Sequence, residues 1–329
     1  MKGRRVEKPD KPFTPSSFQK GEQGEAGTGR RGEERGRGET GRGRQGEEER
    51  ETSVSPSPKP PVSPSPRPCI TLLTDFGTAD YFVGAMKGVV LSLNPDARIV
   101  DITHEIPPHD VEAGAFTLLS AYKAFSAPSI HVAVVDPGVG SSRRPLVIAA
   151  DGQFFVGPDN GIFSYICERE AGHQVFQLTN EKYFRHPVSA TFHGRDIFAP
   201  VAAALSRGID VEEFGPAVED YNRLAPLAPE KRRNGTIKAR VIHVDRFGNC
   251  ITNLTEADLT ESMIASGAEL TIKGRTVRSF KRFFAEETGP RVKLFGLWGS
   301  AGFLEIATTN GSAAKLLKAK RGDSVIVHR

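Results

Sequence analysis

The chain has 329 residues, long enough for two domains, with 44 Lys and Arg against 40 Asp and Glu and a formal net charge of +4. The excess positive charge lies in residues 1–68, which hold 15 basic and 11 acidic residues, so that residues 69–329 hold 29 of each. This neutral balance argues against a nucleic-acid-binding protein, and the absence of a run of about 18 apolar residues argues against a membrane span. The three cysteines lie far apart without a CxxC pair, which argues against a zinc site and is typical of a cytoplasmic protein.

Residues 1–68 are of low complexity. Residues 27–51 are almost all Gly, Arg and Glu, and residues 53–68 are rich in Pro and Ser. Large apolar residues are too sparse here to offset the entropy lost on ordering, so we predict a disordered tail. An RNA-binding arm is the alternative, but the interspersed glutamates cancel most of the positive field.

Strands and helices alternate from Cys69 onward. The hydrophobic pattern predicts strands at 69–74, 98–103, 129–135 and 146–150, and helices at 80–95, 110–125 and 196–208. Asp110 is the predicted N-cap of the second helix. This alternation predicts an N-terminal α/β domain with a mostly parallel sheet over residues 69–224.

The texture changes after a polar stretch at 225–235, which we interpret as a linker. Short alternating segments punctuated by glycines follow, and only GSAAKLLKA has a helical pattern. Residues 236–329 are therefore predicted to form a small C-terminal β-barrel domain.

Two acidic residues follow buried strands: Asp75 in TDFG and Asp136 in DPGVG. In α/β sheets ligands bind at the carboxyl ends of the strands, and the neighbouring glycines would allow a ligand close to the backbone. A purely turn-forming role of the two Asp-containing loops remains the alternative.

A second polar group lies in TFHGRDIFAP, where His193 precedes a glycine in a loop and Asp196 is an N-cap or an arginine partner. Arg143 and Arg144 follow the DPGVG loop, and one of them is placed to hold an anion near Asp136. In the C-terminal part, Asp245 and Asn249 in DRFGN either contact a ligand or form a hairpin turn.

The chain contains no Walker loop and no GxGxxG, HExxH or GxSxG motif. Its ordered blocks nevertheless resemble one family, the S-adenosyl-L-methionine (SAM) hydroxide adenosyltransferases, which are related to fluorinases and chlorinases. The blocks that carry the resemblance are CITLLTDFG, VDPGVGSSRR, PDNG, TFHGRDIFAP, VDRFGN and GSAGFLEIA. They run from about Cys69 to Arg329, and the tail has no counterpart.

The resemblance implies an N-terminal α/β domain, a C-terminal β-barrel and a homotrimer whose substrate lies between two subunits. It implies that Asp136, Arg143 and His193 form a hydrolytic triad that acts on water. Its implied substrate contacts are Asp75 for the ribose hydroxyls, Asp245 for the methionine ammonium, Asn249 for adenine, Ser300 for the methionine carboxylate and, with a weaker claim, Glu305.

Three departures separate this chain from the halogenases. Tyrosine stands in halogenases at the positions of Asp136 and His193, so this chain resembles the hydrolases. His109 stands where the fluorinase has a tryptophan, so no tryptophan stacking is expected there. Ala301 replaces an arginine after Ser300, so carboxylate binding would rest on Ser300 and backbone amides.

The resemblance therefore predicts hydrolysis of SAM to adenosine and L-methionine, with SAM as substrate, no metal and no cofactor. Three alternatives stay open on the residues: a SAM-dependent halogenase, a non-catalytic SAM or adenosine sensor, and a metal-dependent phosphoesterase. The last would use Asp75, Asp136, His193 and Asp196 as ligands.

Overall fold

A computed structural model describes residues 68–286 and 293–328; the predicted disordered tail, up to residue 67, lies outside the described residues. The helices are α1 (Phe82–Leu93), α2 (Val111–Ala121), α3 (Ser164–Arg169), α4 (Ala199–Ser206), α5 (Glu261–Ala265) and α6 (Ala313–Leu317). The strands of the first sheet are β1 (Cys69–Thr74), β2 (Arg98–Thr103), β3 (Ser129–Val134), β4 (Pro145–Ala150), β5 (Gln153–Pro158) and β6 (Gln174–Gln177). Those of the second are β7 (Glu230–Lys231), β8 (Ile237–Val244), β9 (Cys250–Thr252), β10 (Glu269–Ile272), β11 (Arg275–Val277), β12 (Phe280–Lys281), β13 (Leu294–Trp298), β14 (Leu304–Thr308) and β15 (Ser324–His328).

The first sheet has the strand order β2-β1-β3-β5-β4-β6. The pairs β1–β2, β1–β3 and β3–β5 are parallel, whereas β4 pairs antiparallel with both β5 and β6. The prediction of an α/β fold with a mostly parallel sheet is confirmed. The carboxyl ends of β1 and β3, which are neighbours, bring the loops that begin at Asp75 and Asp136 to the same edge.

Both faces of this sheet are covered, as the continuous apolar character of β1 and β3 requires. Ile70 and Leu72 pack with α1 and α4 on one face, and Leu73 packs with α2 and α3 on the other. The core on the Leu73 face also includes Ile242, Ile251 and Phe303, so the α2 side of the first sheet is continuous with the C-terminal strands.

The helix ends follow the sequence signals. The Asp110 side chain accepts a hydrogen bond from the Ala113 amide, which confirms the predicted N-cap of α2. Helix α1 lies within the predicted range 80–95 and ends at Leu93, where the backbone N–H of Asn94 donates to the Val90 carbonyl. The predicted helix at 196–208 is a π-helical turn, Gly194–Phe198, followed by α4.

The second sheet follows the order β11-β10-β15-β8-β9-β14-β13-β12, with β7 paired to β8. Its strands curl into a half-barrel, the form that the C-terminal β-barrel prediction takes in the structure. The stretch that we interpreted as a linker contains a short strand, β7, whose two residues pair with β8. In the described ranges no helix is long and apolar enough to cross a membrane.

Candidate active site

The Asp75 loop is held at the end of β1 by a buried histidine. The hydroxyl of Thr74 lies 2.8 Å from His104 Nδ1 and accepts the amide of Phe76 at 3.2 Å. The amide of Gly77, at φ +65°, donates to the His104 carbonyl at 2.8 Å. Asp75 Oδ2 then accepts the backbone N–H of His109 at 2.8 Å. The Asp75 carboxylate is thus fixed through one oxygen.

The Asp136 loop is a sequence of tight turns after β3. Val139 N–H donates to the Asp136 carbonyl at 3.2 Å, and Ser141 donates to the Gly138 carbonyl through both its amide, at 3.1 Å, and its hydroxyl, at 2.7 Å. These turns fold the chain back over seven residues. Arg143 is therefore directed at the acid that begins the loop.

Asp136, Arg143 and His193 meet in one cluster. Arg143 Nε donates to Asp136 Oδ1 at 2.9 Å, and its Nη2 contacts both Asp136 Oδ2 and His193 Nδ1, the latter at 2.7 Å. The Arg143 and Asp136 side chains are 8% and 4% exposed, so the fork-on-carboxylate pair is desolvated and strongly oriented. The predicted triad residues are brought together, although His193 lies 50 positions after Arg143 in the sequence.

The contact with Arg143 determines the protonation state of His193. A guanidinium can only donate, so His193 Nδ1 accepts and the neutral imidazole carries its proton on Nε2. Burial and the Arg143 charge both lower the pKa of His193, against smaller raising effects of Asp136 and Asp196. Arg143 Nη1 is buried and has no hydrogen-bond partner among the described residues. Arg143 Nη1 and His193 Nε2 are thus the N–H groups of the cluster that its internal hydrogen bonds leave unused.

We expect His193 to protonate below its ordinary pKa of about 6.5. An NMR titration of the His193 ring measures this directly. Because Arg143 is one of the lowering causes, Arg143→Met should move the midpoint upward while burial still opposes protonation. Since the folded-state pKa is lowered, this group stabilises the fold fully above about pH 6.5 and less as pH falls through the folded pKa. A midpoint above 6.5 in the unmodified protein would contradict the described contact.

The four proposed ligands of a metal-dependent phosphoesterase do not converge. Arg143 forms an ion pair with Asp136, and Arg185 and Arg195 form ion pairs with Asp196. Of the two roles that the sequence suggested for Asp196, the structure shows that of an arginine partner. In the parts of the chain that the structure describes, no group of three or more His, Cys, Asp or Glu side chains is arranged to hold a metal ion.

Asp245 and Asn249 close the turn between β8 and β9. Asn249 donates to Asp245 Oδ1 through its amide N–H at 2.8 Å and to Oδ2 through Nδ2 at 2.9 Å. The hairpin role that the sequence left open is thus present. Asn249 keeps its side-chain oxygen and one amide proton for another partner.

Glu305 lies beside this turn on β14. A Cβ on Gly299 would fall 2.0 Å from Glu305 Oε1, so the carboxylate lies directly over that glycine. Burial, and then the negative charge of Asp245, raise the pKa of Glu305. Ser300 lies in the turn between β13 and β14, with an exposed side chain.

The predicted site residues therefore form three groups: Asp75; the cluster of Asp136, Arg143 and His193; and the C-terminal group of Asp245, Asn249, Ser300 and Glu305. No hydrogen bond or ion pair between described residues joins one group to another within the chain.

Comparison with known proteins identifies the family. The model of the SAM hydroxide adenosyltransferase N-terminal domain matches residues 70–215, and that of the C-terminal domain matches residues 239–326. The chain belongs to the SAM hydroxide adenosyltransferase family. An (R)-S-adenosyl-L-methionine hydrolase of Methanocaldococcus jannaschii is 40% identical over 272 residues, which cover 78% of this chain and 94% of the relative. A crystal structure of an uncharacterized conserved protein from Thermotoga maritima matches with TM-score 0.73 and 34% identity, over 79% of this chain and all of that one.

Within the SAM hydroxide adenosyltransferase family this chain is more similar to hydrolases than to halogenases. A fluorinase of Nocardia brasiliensis is 26% identical over 292 residues, 79% of this chain and 96% of the relative. This difference in identity agrees with the departures at Asp136 and His193. His109, which stands at the position of the fluorinase tryptophan, is exposed and has φ 65°.

The sequence analysis missed exposed aromatic residues beside two of the groups. Phe247, within the Asp245 turn, is 78% exposed, and Tyr81 is 68% exposed. The Tyr81 ring lies 4.6 Å from the Phe82 ring, tilted by 33°, and 6.5 Å from the ring of Phe192, which precedes His193. A large aromatic side chain inside the tight turn DRFGN is a signal that could have identified Phe247, because turn formation does not require it.

Proposed function

We propose that this SAM hydroxide adenosyltransferase hydrolyses SAM to adenosine and L-methionine. Relatives named (R)-S-adenosyl-L-methionine hydrolase, 36–40% identical over more than three quarters of the chain, support this. The single observation that carries the proposal is the buried cluster of Asp136, Arg143 and His193, with its two N–H donors. The names of these relatives also suggest the (R) sulfonium epimer as the preferred substrate.

The reaction needs an activated nucleophile, not an activated leaving group. The sulfonium of SAM already leaves as a neutral thioether, whereas water, with a pKa of about 15.7, is a poor nucleophile. In the proposed step an oxygen–C5′ bond forms as the C5′–sulfur bond breaks and its electron pair moves to sulfur. One water proton passes to solvent, so SAM and water yield adenosine, methionine and a proton.

Arg143 and His193 would stabilise the developing hydroxide. Arg143 Nη1 is a cationic donor without another partner in the described chain, and His193 donates through Nε2. Such preorganised donors in a desolvated site favour the anionic form of water. Because Nε2 already carries the proton, His193 serves here as a donor and not as the base. Asp136 would hold the guanidinium in this orientation.

The remaining residues would bind the substrate, and their roles rest on the family resemblance. Asp75, with one oxygen engaged by His109, would accept the ribose hydroxyls, and Asn249 would contact adenine. For the methionine part, Asp245 would pair with the ammonium and Ser300 with the carboxylate, and Glu305 is the further candidate for a substrate contact. Backbone amides near Ala301 would supply the donors that arginine supplies in halogenases.

The proposed assembly is a homotrimer in the cytoplasm, with each substrate between two subunits. Candidate ligand residues lie in both halves of the chain, and no hydrogen bond or ion pair between described residues joins the C-terminal group to the other two, which supports an inter-subunit site. We propose that the enzyme needs neither metal nor cofactor and that its partners include neither nucleic acid nor membrane. The widely spaced, unpaired cysteines support a reducing compartment.

Product analysis tests the activity. The full-length protein incubated separately with the two sulfonium epimers of SAM should yield adenosine and methionine in equal amounts, faster from the (R) epimer. Rates should be the same with and without EDTA. Loss of activity on chelation, restored by a divalent ion, would contradict the metal-free proposal, and SAM binding without products would favour the non-catalytic sensor.

Subunit mixing tests the inter-subunit site. We expect Arg143→Lys and Asp245→Ala to be weakly active alone, because each damages one half of every site. If halves come from different subunits, randomly mixed trimers regain about a quarter of the unmodified activity. The control mixes unmodified chains with chains that carry both changes. No recovery between the two single variants, with light scattering showing mixed trimers, would place each site within one chain.

A further inference from the structure

The loop that carries His193 is closed by a buried carboxylate that the proposed mechanism does not use. Asp196 is fully buried, with 0% exposure. Arg195 donates to both of its oxygens, from Nε at 2.7 Å and from Nη2 at 2.8 Å, and Arg185 Nη1 donates at 3.1 Å. The amide of Ser189 donates to Oδ2 at 2.9 Å, and the amide of Arg185 donates to the Asp196 carbonyl at 2.8 Å. Asp196 therefore joins both ends of the segment 185–196.

The same residues fix the backbone next to His193. The amides of Arg195 and Asp196 both donate to the Phe192 carbonyl at 3.2 Å, and the Arg195 guanidinium lies 5.1 Å from the centre of the Phe192 ring. His193 immediately precedes, as its N-cap, the π-helical turn that contains Asp196. Any displacement of the Arg195–Asp196 pair therefore moves the backbone that sets the imidazole direction.

This segment is also pressed against the Asp136 loop. A Cβ on Gly140 would lie 2.1 Å from the Ala190 carbonyl oxygen, so the two backbones are in direct contact. Across this contact Arg143 Nη2 meets His193 Nδ1 at 2.7 Å. The distance between the two catalytic loops is thus determined by a segment whose shape Asp196 maintains.

We infer that Asp196 is a positioning residue for the hydrolysis, acting through His193. The inference rests on the proposed function for its kinetic consequence, and the carboxylate itself has no access to substrate because it is fully buried and occupied by its donors. By holding the segment 185–196, Asp196 keeps His193 Nδ1 on Arg143 and thereby keeps Nε2–H aimed at the attacking oxygen. Its charge also acts to raise the pKa of His193 against the lowering effect of Arg143.

A purely structural role would also make Asp196 replacements harmful, so the test compares two backgrounds. Asp196→Asn should lower kcat roughly tenfold to a hundredfold, the effect of removing an outer partner that orients a functional histidine, with KM within about twofold. In a His193→Gln background the same change should cost no further activity, because the group that it positions is gone. Arg185→Met removes one of the donors to Asp196, and because the Arg185 side chain is 48% exposed this change should give a smaller loss of kcat. It keeps the test usable if Asp196→Asn folds poorly.

Asp258→Asn is the matched control. Asp258 is a largely buried carboxylate in the C-terminal part that accepts the Thr255 amide at 3.1 Å and hydroxyl at 2.7 Å and pairs with Lys231 at 2.9 Å. It should change kcat little. If Asp196→Asn lowers activity by the same factor with and without His193, Asp196 only maintains the amount of folded enzyme and the inference is wrong.

A second readout does not depend on turnover. The ring signals of His193 in an NMR spectrum should shift in Asp196→Asn and in Arg185→Met but not in Asp258→Asn. Unchanged His193 signals in all three variants would overturn the inference. An unmodified protein that does not hydrolyse SAM would overturn the proposed function, and the NMR comparison would still decide the positioning role.

Discussion

Replacing Arg143 by lysine is expected to lower kcat for SAM hydrolysis roughly a hundredfold, the effect of removing one preorganised donor, with little change in KM. Lysine keeps the positive charge but cannot reproduce the planar fork that holds Asp136 through Nε and Nη2 while contacting His193. It also lacks the Nη1 donor that has no partner among described residues. Steady-state kinetics with SAM measures both constants.

Arg144→Lys is the matched control for this change. Arg144 is the next residue, but its guanidinium donates to Asp159 at 2.8 Å and to Asp220 at 3.0 Å and contacts no member of the cluster. Its replacement should affect kcat far less than that of Arg143. Simultaneous replacement of Asp136, Arg143 and His193 should cost much less than the product of the single losses, because the three act as one unit. If Arg143→Lys instead raises KM and leaves kcat intact, Arg143 anchors the substrate.

Gly140→Ala is expected to damage both stability and activity. Gly140 has φ +78°, which disfavours an L side chain, and its new Cβ would overlap the Ala190 carbonyl oxygen at 2.1 Å. Relieving this overlap requires the Asp136 loop and the segment 185–196 to separate. We expect a stability loss of about 3 kcal/mol or more and a fall in kcat of roughly a hundredfold, since a displacement near 1 Å has that effect on a positioned group. Chemical denaturation and kinetics at saturating SAM measure the two losses.

Gly172→Ala separates backbone strain from overlap. Gly172 has nearly the same dihedral, φ +83°, but a Cβ there would meet nothing within 4 Å. It should cost only the strain of a left-handed residue, about 1–2 kcal/mol, and leave kcat unchanged. Equal stability losses in the two variants, or an unaffected kcat in Gly140→Ala, would show that the contact between the loops does not set the catalytic geometry.

The elements with local signals were predictable from the sequence. Strand β1 is a continuous apolar run, and the cap formed by Asp110 depends only on residues three positions apart. Strand β5 was not predicted, because it begins with the buried Gln153, whose side chain is satisfied by the distant His131 at 2.7 Å. A polar residue in a buried strand is explained only by its tertiary partner.

The candidate site divides in the same way. Asp75 and Asp136 were predicted directly from the pattern, because each of them follows a buried strand. The meeting of Arg143 with His193 depends on the close backbone contact at Gly140 and Ala190, which no local pattern encodes. Only the resemblance to a family predicted that meeting, and the structure shows the contacts that produce it.

Hydrolysis of SAM in water enriched in oxygen-18 tests the central claim most directly. Attack of water at C5′ breaks the C5′–sulfur bond and leaves the water oxygen on the nucleoside. Mass spectrometry should therefore find one oxygen-18 atom in the 5′-hydroxyl of adenosine and none in methionine. Adenosine without the label, or a nucleoside product other than adenosine, would contradict the account.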